Sequence, residues 1–264
     1  MQSREKAFKN LLKFRVAMGI SLSKDNVRYI WGRRYFKNMG KENIKKLEEN
    51  ENKHIFEKIK IANKNISKLK VFKWVQFIGV SGSVAAGFTQ EKDDIDVFVV
   101  VRNGTMWLYR AIVVFRNIFH NKIRAKRHKN VKNKLCLNLI CEERGLQFPN
   151  DIFNLHELIF LKSIYNKKYK RYILSKNKWL EKEFFVKKEL LRSRVIPKKK
   201  AFFLVRIINY FAFLAQLIFM IVSKHNPDIK RLKENFRQGK IEFFEYDYKQ
   251  EKIDNYSKEF KSIN

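Results

Sequence analysis

Apolar positions along the chain fall into two kinds of run. Between Val75 and Val101 two short segments rich in Val, Ile and Phe are almost continuously apolar and are bounded by Gly or by charge. That pattern predicts strands buried on both faces, joined by about one short helix. Leu135 to Cys141, LCLNLIC, predicts a third strand. Elsewhere apolar residues recur at helical intervals. Leu11, Leu12, Phe14, Val16 and Met18 mark one helix, and Ile44, Leu47, Ile55, Ile59, Ile61, Ile66 and Leu69 mark a helical lead-in. Met106 to Phe119, Leu155 to Tyr165 and Ala201 to Val222 read as helices, and Trp179, Leu180, Phe184, Phe185 and Leu190 form a further apolar stripe. The expected fold is α/β. A small mixed sheet at 71–150 is flanked by a helical, basic segment at 1–70 and a helical region at 151–225, with a polar tail at 226–264 that has aromatic islands at 243–248.

The second strand opens with an acidic cluster, Asp93-Asp94-Ile95-Asp96. Alternation puts the Asp94 and Asp96 carboxylates on one face while Ile95 and Val97 point into the core. Two like charges so close repel unless a cation lies between them, and an oxygen pair suits Mg²⁺ or Mn²⁺. Upstream, Gly82 permits close backbone approach, and Ser83 is placed to cap the short helix, whose free amides favour phosphate. Arg110, in the first turns of the Met106 helix, is expected near the sheet end that carries Asp96, within reach of a triphosphate.

Gly82-Ser83, ten residues, then Asp94-Ile95-Asp96 resembles the signature of the nucleotidyltransferase superfamily that includes polymerase beta. GVSGSVAAG, DDIDVFVVV, GTMWLYR at 104–110, CLN at 136–138 and LHELIFLKSIY at 155–165 look, in that order, like a group of uncharacterised bacterial nucleotidyltransferase-domain proteins. The resemblance covers about 53–221 and implies a sheet of the nucleotidyltransferase type. It implies metal-dependent transfer of a nucleoside monophosphate from an NTP, such as ATP, to a hydroxyl, with Asp94 and Asp96 holding Mg²⁺ or Mn²⁺ and Gly82 and Ser83 contacting phosphate. The chain departs from the pattern twice. Ala86-Gly87 stands where many members have Arg, and Asn138 takes the place of a third carboxylate on the later strand, where Glu142 and Glu143 are possible substitutes. A catalytically degenerate module that binds nucleotide or RNA is therefore the alternative.

Charge and length adjust this picture. Lys and Arg number 58 against 26 acids, a net +32 over 264 residues. That excess favours polyanions such as RNA, nucleotides or an anionic membrane. It is dense at 121–134, which has no acid. Cys136 and Cys141, five apart on one predicted strand, face opposite sides and cannot pair, and neither they nor the histidines make a zinc spacing. His156 and Glu157 read as structural. The charged N-terminus lacks a secretory apolar region, so a cytoplasmic enzyme is expected. The Ala201–Val222 run is long enough to cross a bilayer, yet Arg206, Asn209 and Gln216 fall on one stripe of it. A spanning helix would leave that Arg in hydrocarbon, at about 2.5–3.5 kcal/mol. A helix buried on the catalytic domain, its stripe turned to solvent or the cleft, is preferred to a membrane contact.

Overall fold

The computed structural model describes residues 2–48, 53–120, 123–124, 130–196, 201–222, 229–242 and 254. Both strands read from the Val75–Val101 stretch form, as β1 (Val75–Val80) and β2 (Ile95–Val101), and the third forms as β3 (Leu135–Glu142). Two shorter strands complete a mixed sheet, β4 (Lys162–Tyr165) and β5 (Lys240–Glu242), in the order β4-β1-β2-β3-β5. β1 runs antiparallel to β2 and β4, β2 parallel to β3, and β3 antiparallel to β5. The parallel pair needs a crossover, and the Met106–His120 helix supplies it.

Helices cover both faces, which is why β1 and β2 read as continuous apolar runs. Phe77, Phe98, Val100, Leu139 and Cys141 face one layer, where the Gln2–Ala17, Lys24–Trp31, Ile152–Phe160 and Lys167–Ser175 helices pack. Ile78, Val80, Val97, Val99, Val101 and Ile140 face the other, formed by the Lys53–Leu69, Met106–His120 and Phe203–Val222 helices. The sheet thus draws strands from outside 71–150. β4 comes from LKSIY, which helical periodicity absorbed into the preceding helix, and β5 from the polar tail. Of the tail's aromatic island, 243–248 lies outside the described residues.

One irregularity in β3 bears on the site. Asp96 pairs with Cys136 but Phe98 pairs with Leu139, so β3 has one extra residue there. Such a bulge reverses which residues face which side. Cys136 and Cys141 consequently share a face of the sheet instead of taking opposite ones. Neither is part of a disulfide among the described residues.

Candidate active site

β1 ends at Val80, and the chain turns through Ser81 into the short Gly82–Ala86 helix. Ser81, not Ser83, is the residue before the first helical turn, and its side chain makes no capping bond. Ser83 lies inside the helix, where its carbonyl accepts from Gly87 N and Phe88 N. Gly82 has φ +61°, and a Cβ added there would lie 2.1 Å from Asp96 Oδ2. Only glycine takes that conformation at that distance. The Ser81 amide donates to the Asp96 carbonyl, which fixes the turn against the start of β2.

Asp94, Asp96 and Cys136 bring one ligand atom each within 4.8 Å of one another. Arg124, an exposed cation of the basic run, pairs with Asp94 at 2.7 Å. It is aimed by the bridge between Ile123 and Leu135. Residues 125–129 of that run lie outside the described ones. Burial first, then the charges of Asp94 and Glu157, push the Asp96 carboxyl up to about 8, against the pull of Arg124. Burial, reinforced by Asp96 and Asp94, also raises the Cys136 thiol. A buried carboxyl crowded by two others is the environment that a divalent cation relieves. Two carboxylates and a thiol suit a divalent cation of borderline softness. Asn138 lies on β3, its side chain outside the described ones. The bulge leaves Cys136 as the residue opposite Asp96.

Glu157 belongs to this site, against its reading as structural. It is the lone acid of the largely apolar Ile152–Phe160 helix, and its Oε2 accepts from the Gly82 amide at 3.2 Å. Behind it, Arg15 is buried at 1% exposure. Arg15 donates to the Ala86 carbonyl at 3.0 Å, to the Ser21 carbonyl at 2.7 Å and to His156 Nε2 at 3.2 Å. Burial holds His156 below its ordinary value, hence neutral. With Nε2 accepting, the ring proton sits on Nδ1, which faces Glu157 Oε1 at 3.5 Å. Arg15 so anchors both the short helix and the His156-Glu157 pair. The signal in the sequence was a cation placed among the apolar positions Leu11, Leu12 and Phe14.

The loop before Asp94 is also fixed. Lys58, buried, donates to the carbonyls of Glu91 at 3.2 Å and Asp93 at 2.6 Å and to Asn133 Oδ1 at 3.0 Å. Asp93 turns back to accept from Gln90 N at 2.7 Å, so it is a turn residue and not a third ligand. Beside the site a cavity of about 70 Å³ is lined by Ser81, Phe98, Phe148, Phe153, Asn154 and Glu157 among others. The Ser81 hydroxyl, buried there, has no hydrogen-bond partner.

Neither Arg110 nor the two reserve carboxylates reach this end of the sheet. Asp96 lies in the first two residues of β2, whereas the Met106–His120 helix starts beyond the far end of that strand, on the other face. Arg110 there donates to Gln216 Oε1. Burial pulls its guanidinium down to about 10. Glu142 closes β3, roughly 20 Å along the strand from Cys136. Its Oε1 accepts from Gly104 N at 2.8 Å and its Oε2 from Arg144 Nε at 2.7 Å. Glu143 accepts from the Tyr169 hydroxyl at 2.7 Å. These carboxylates hold the loop and helix beyond β2 and β3.

No family model matches the chain, no curated protein is similar to it, and no solved structure matches its fold.

Proposed function

We propose that the chain is a metal-dependent nucleotidyltransferase that moves a nucleoside monophosphate from an NTP to a hydroxyl acceptor and releases pyrophosphate. One observation carries this reading: Asp94 and Asp96 meet the Gly82 amide across one strand, helix, strand unit, and Cys136 joins the two carboxylates from β3. The mixed sheet, with β2 and β3 parallel, agrees with the nucleotidyltransferase type of fold. Asp94 and Asp96 would hold Mg²⁺ or Mn²⁺, which would supply charge for the phosphates and activate an oxygen nucleophile, and the Cys136 sulfur, a softer donor than oxygen, would favour Mn²⁺ over Mg²⁺.

The chain's own groups then have distinct tasks. The Gly82 amide, released by Glu157, donates to a phosphate oxygen. Glu157 becomes the carboxylate placed to take a proton from the acceptor hydroxyl, oriented through His156 and Arg15. Arg124 turns from Asp94 to the phosphate chain. The cavity beside Ser81 shelters an apolar part of the substrate, and the net +32 draws in polyanionic acceptors, RNA among them. Such an enzyme works where NTPs are made, in the cytoplasm.

A second reading is a nucleotide-binding module without turnover. It is favoured by a thiol in place of a third carboxylate and by a Gly82 amide already engaged by Glu157. Pyrophosphate release from each of the four NTPs, with Mg²⁺ or Mn²⁺ and with or without cellular RNA, separates the two. The expected result is release that Asp94→Ala and Asp96→Ala each lower by about 100-fold or more without unfolding the protein. Turnover retained in either variant overturns the metal assignment. Nucleotide bound but never cleaved, across small-molecule, RNA and protein acceptors, makes the module the answer.

A further inference from the structure

The Phe203–Val222 helix is built inside out. Two residues of its polar stripe, Asn209 and Gln216, face the domain and not the cleft, while Arg206 stays exposed. Asn209 Oδ1 accepts from Trp107 N at 2.9 Å and Leu108 N at 3.0 Å, which caps the first turn of the Met106–His120 helix. Gln216 Nε2 donates to the Trp107 carbonyl at 3.0 Å while its Oε1 receives Arg110. The Arg206 stem lies against Gly104, where an added Cβ would be 2.7 Å from its Cγ. With Asn209 and Gln216 turned inward, the apolar positions are left outside. Phe202, Phe203, Phe211, Ile218, Phe219 and Val222 are each 61–77% exposed, and Phe115 of the companion helix, 61% exposed, continues the patch. Six such side chains leave on the order of 700 Å² of apolar surface in water, beyond the roughly 300–600 Å² of the largest patch on an ordinary monomer.

We propose that this face is a membrane-docking surface that lies in the plane of an anionic lipid bilayer, its phenylalanines among the acyl chains. Charge selects this occupant. Arg116, Lys233 and Arg237 are exposed on the two helices that flank the face, and Lys198, Lys199 and Lys200 precede it in the sequence. An apolar face bordered by cations is the pattern of an interfacial helix, held by apolar burial and by anionic headgroups together. The same charge opposes a second copy of the chain, because two bodies of net +32 would have to meet. An in-plane pose follows from Asn209 and Gln216, which tie the helix along its length to the Met106–His120 helix. Among the described residues no helix is long and apolar enough to cross a membrane.

Flotation of the full chain with preformed vesicles tests this, since aggregates sink and bound protein rises. Wild type is expected to float with vesicles of phosphatidylcholine containing about one-third phosphatidylglycerol, and roughly tenfold more weakly with phosphatidylcholine alone. Phe211→Glu/Phe219→Glu should abolish flotation, and Phe56→Glu, an exposed site on the Lys53–Leu69 helix, should leave it unchanged. All three chains should melt alike, because every substituted side chain is exposed. Failure of wild type to float overturns the proposal, and so does equal flotation of the double variant, which would make the attraction purely ionic. A dimer seen by sedimentation, broken by the same pair and without vesicle affinity, would assign the face to a second copy instead.

Discussion

Asp96 concentrates the electrostatics of the site in one carboxyl. Its pKa, raised from 3.8 to about 8 by burial and by Asp94 and Glu157, means that the folded chain holds a proton that the unfolded chain has lost. Metal-free stability should therefore fall as pH rises from about 4 to about 8, the reverse of a salt-bridged aspartate. Asp96→Asn removes the penalty, so thermal melts in EDTA at pH 8 should show the variant about 5 °C above wild type, with no such gain at pH 4. A wild-type melting temperature that climbs over this window would contradict the assignment. Gly82 tests the neighbouring contact. Alanine there takes a left-handed backbone and meets Asp96 Oδ2 at 2.1 Å, so Gly82→Ala should cost about 1–3 kcal/mol in denaturant unfolding and weaken Mn²⁺ binding in calorimetry. Gly82, Asp94 and Asp96 were legible in the sequence because local spacing alone brings them together. Glu157, Arg15 and Arg124 were not, since each reaches the site from an element whose place depends on tertiary packing.

Among the elements, the strands were the most readable. β1, β2 and β3 are buried on both faces, and burial of that kind writes unbroken apolar runs. β4 and β5 escaped notice because edge strands of four and three residues have no such run, and LKSIY continues the helical rhythm of the segment before it. Arg110 was misplaced for a topological reason: a helix after β2 begins at the end of that strand remote from its first residue. The Phe203–Val222 helix was recognised as a helix, but its polar stripe was assigned the wrong neighbours. Hydrophobicity alone does not say which face meets the protein when the protein offers unpaired amides, as Trp107 and Leu108 do. Asn209→Leu should leave those two amides without their acceptor and lower stability by about 1–2 kcal/mol in urea titrations. A neutral outcome would mean that water replaces the side chain and that the stripe orients nothing.

At the scale of the whole molecule, the segment before the sheet does not stay on one side of it. Residues Gln2–Trp31 pack on the face that holds Cys141, while Lys53–Leu69 packs on the opposite face and reaches the site through Lys58. The sheet is therefore clasped by chain that comes before it, and the net positive charge is spread over both layers. The order of the site residues along the chain has its own consequence. Arg15, Lys58, Gly82, Asp94, Asp96, Arg124, Cys136 and Glu157 all precede β4. During synthesis the ribosome thus delivers every group of the candidate site before the Phe203–Val222 helix has left the exit tunnel. A nascent chain can finish the part that bears its chemistry while the phenylalanines of that helix are still shielded, which postpones their exposure until the site is complete.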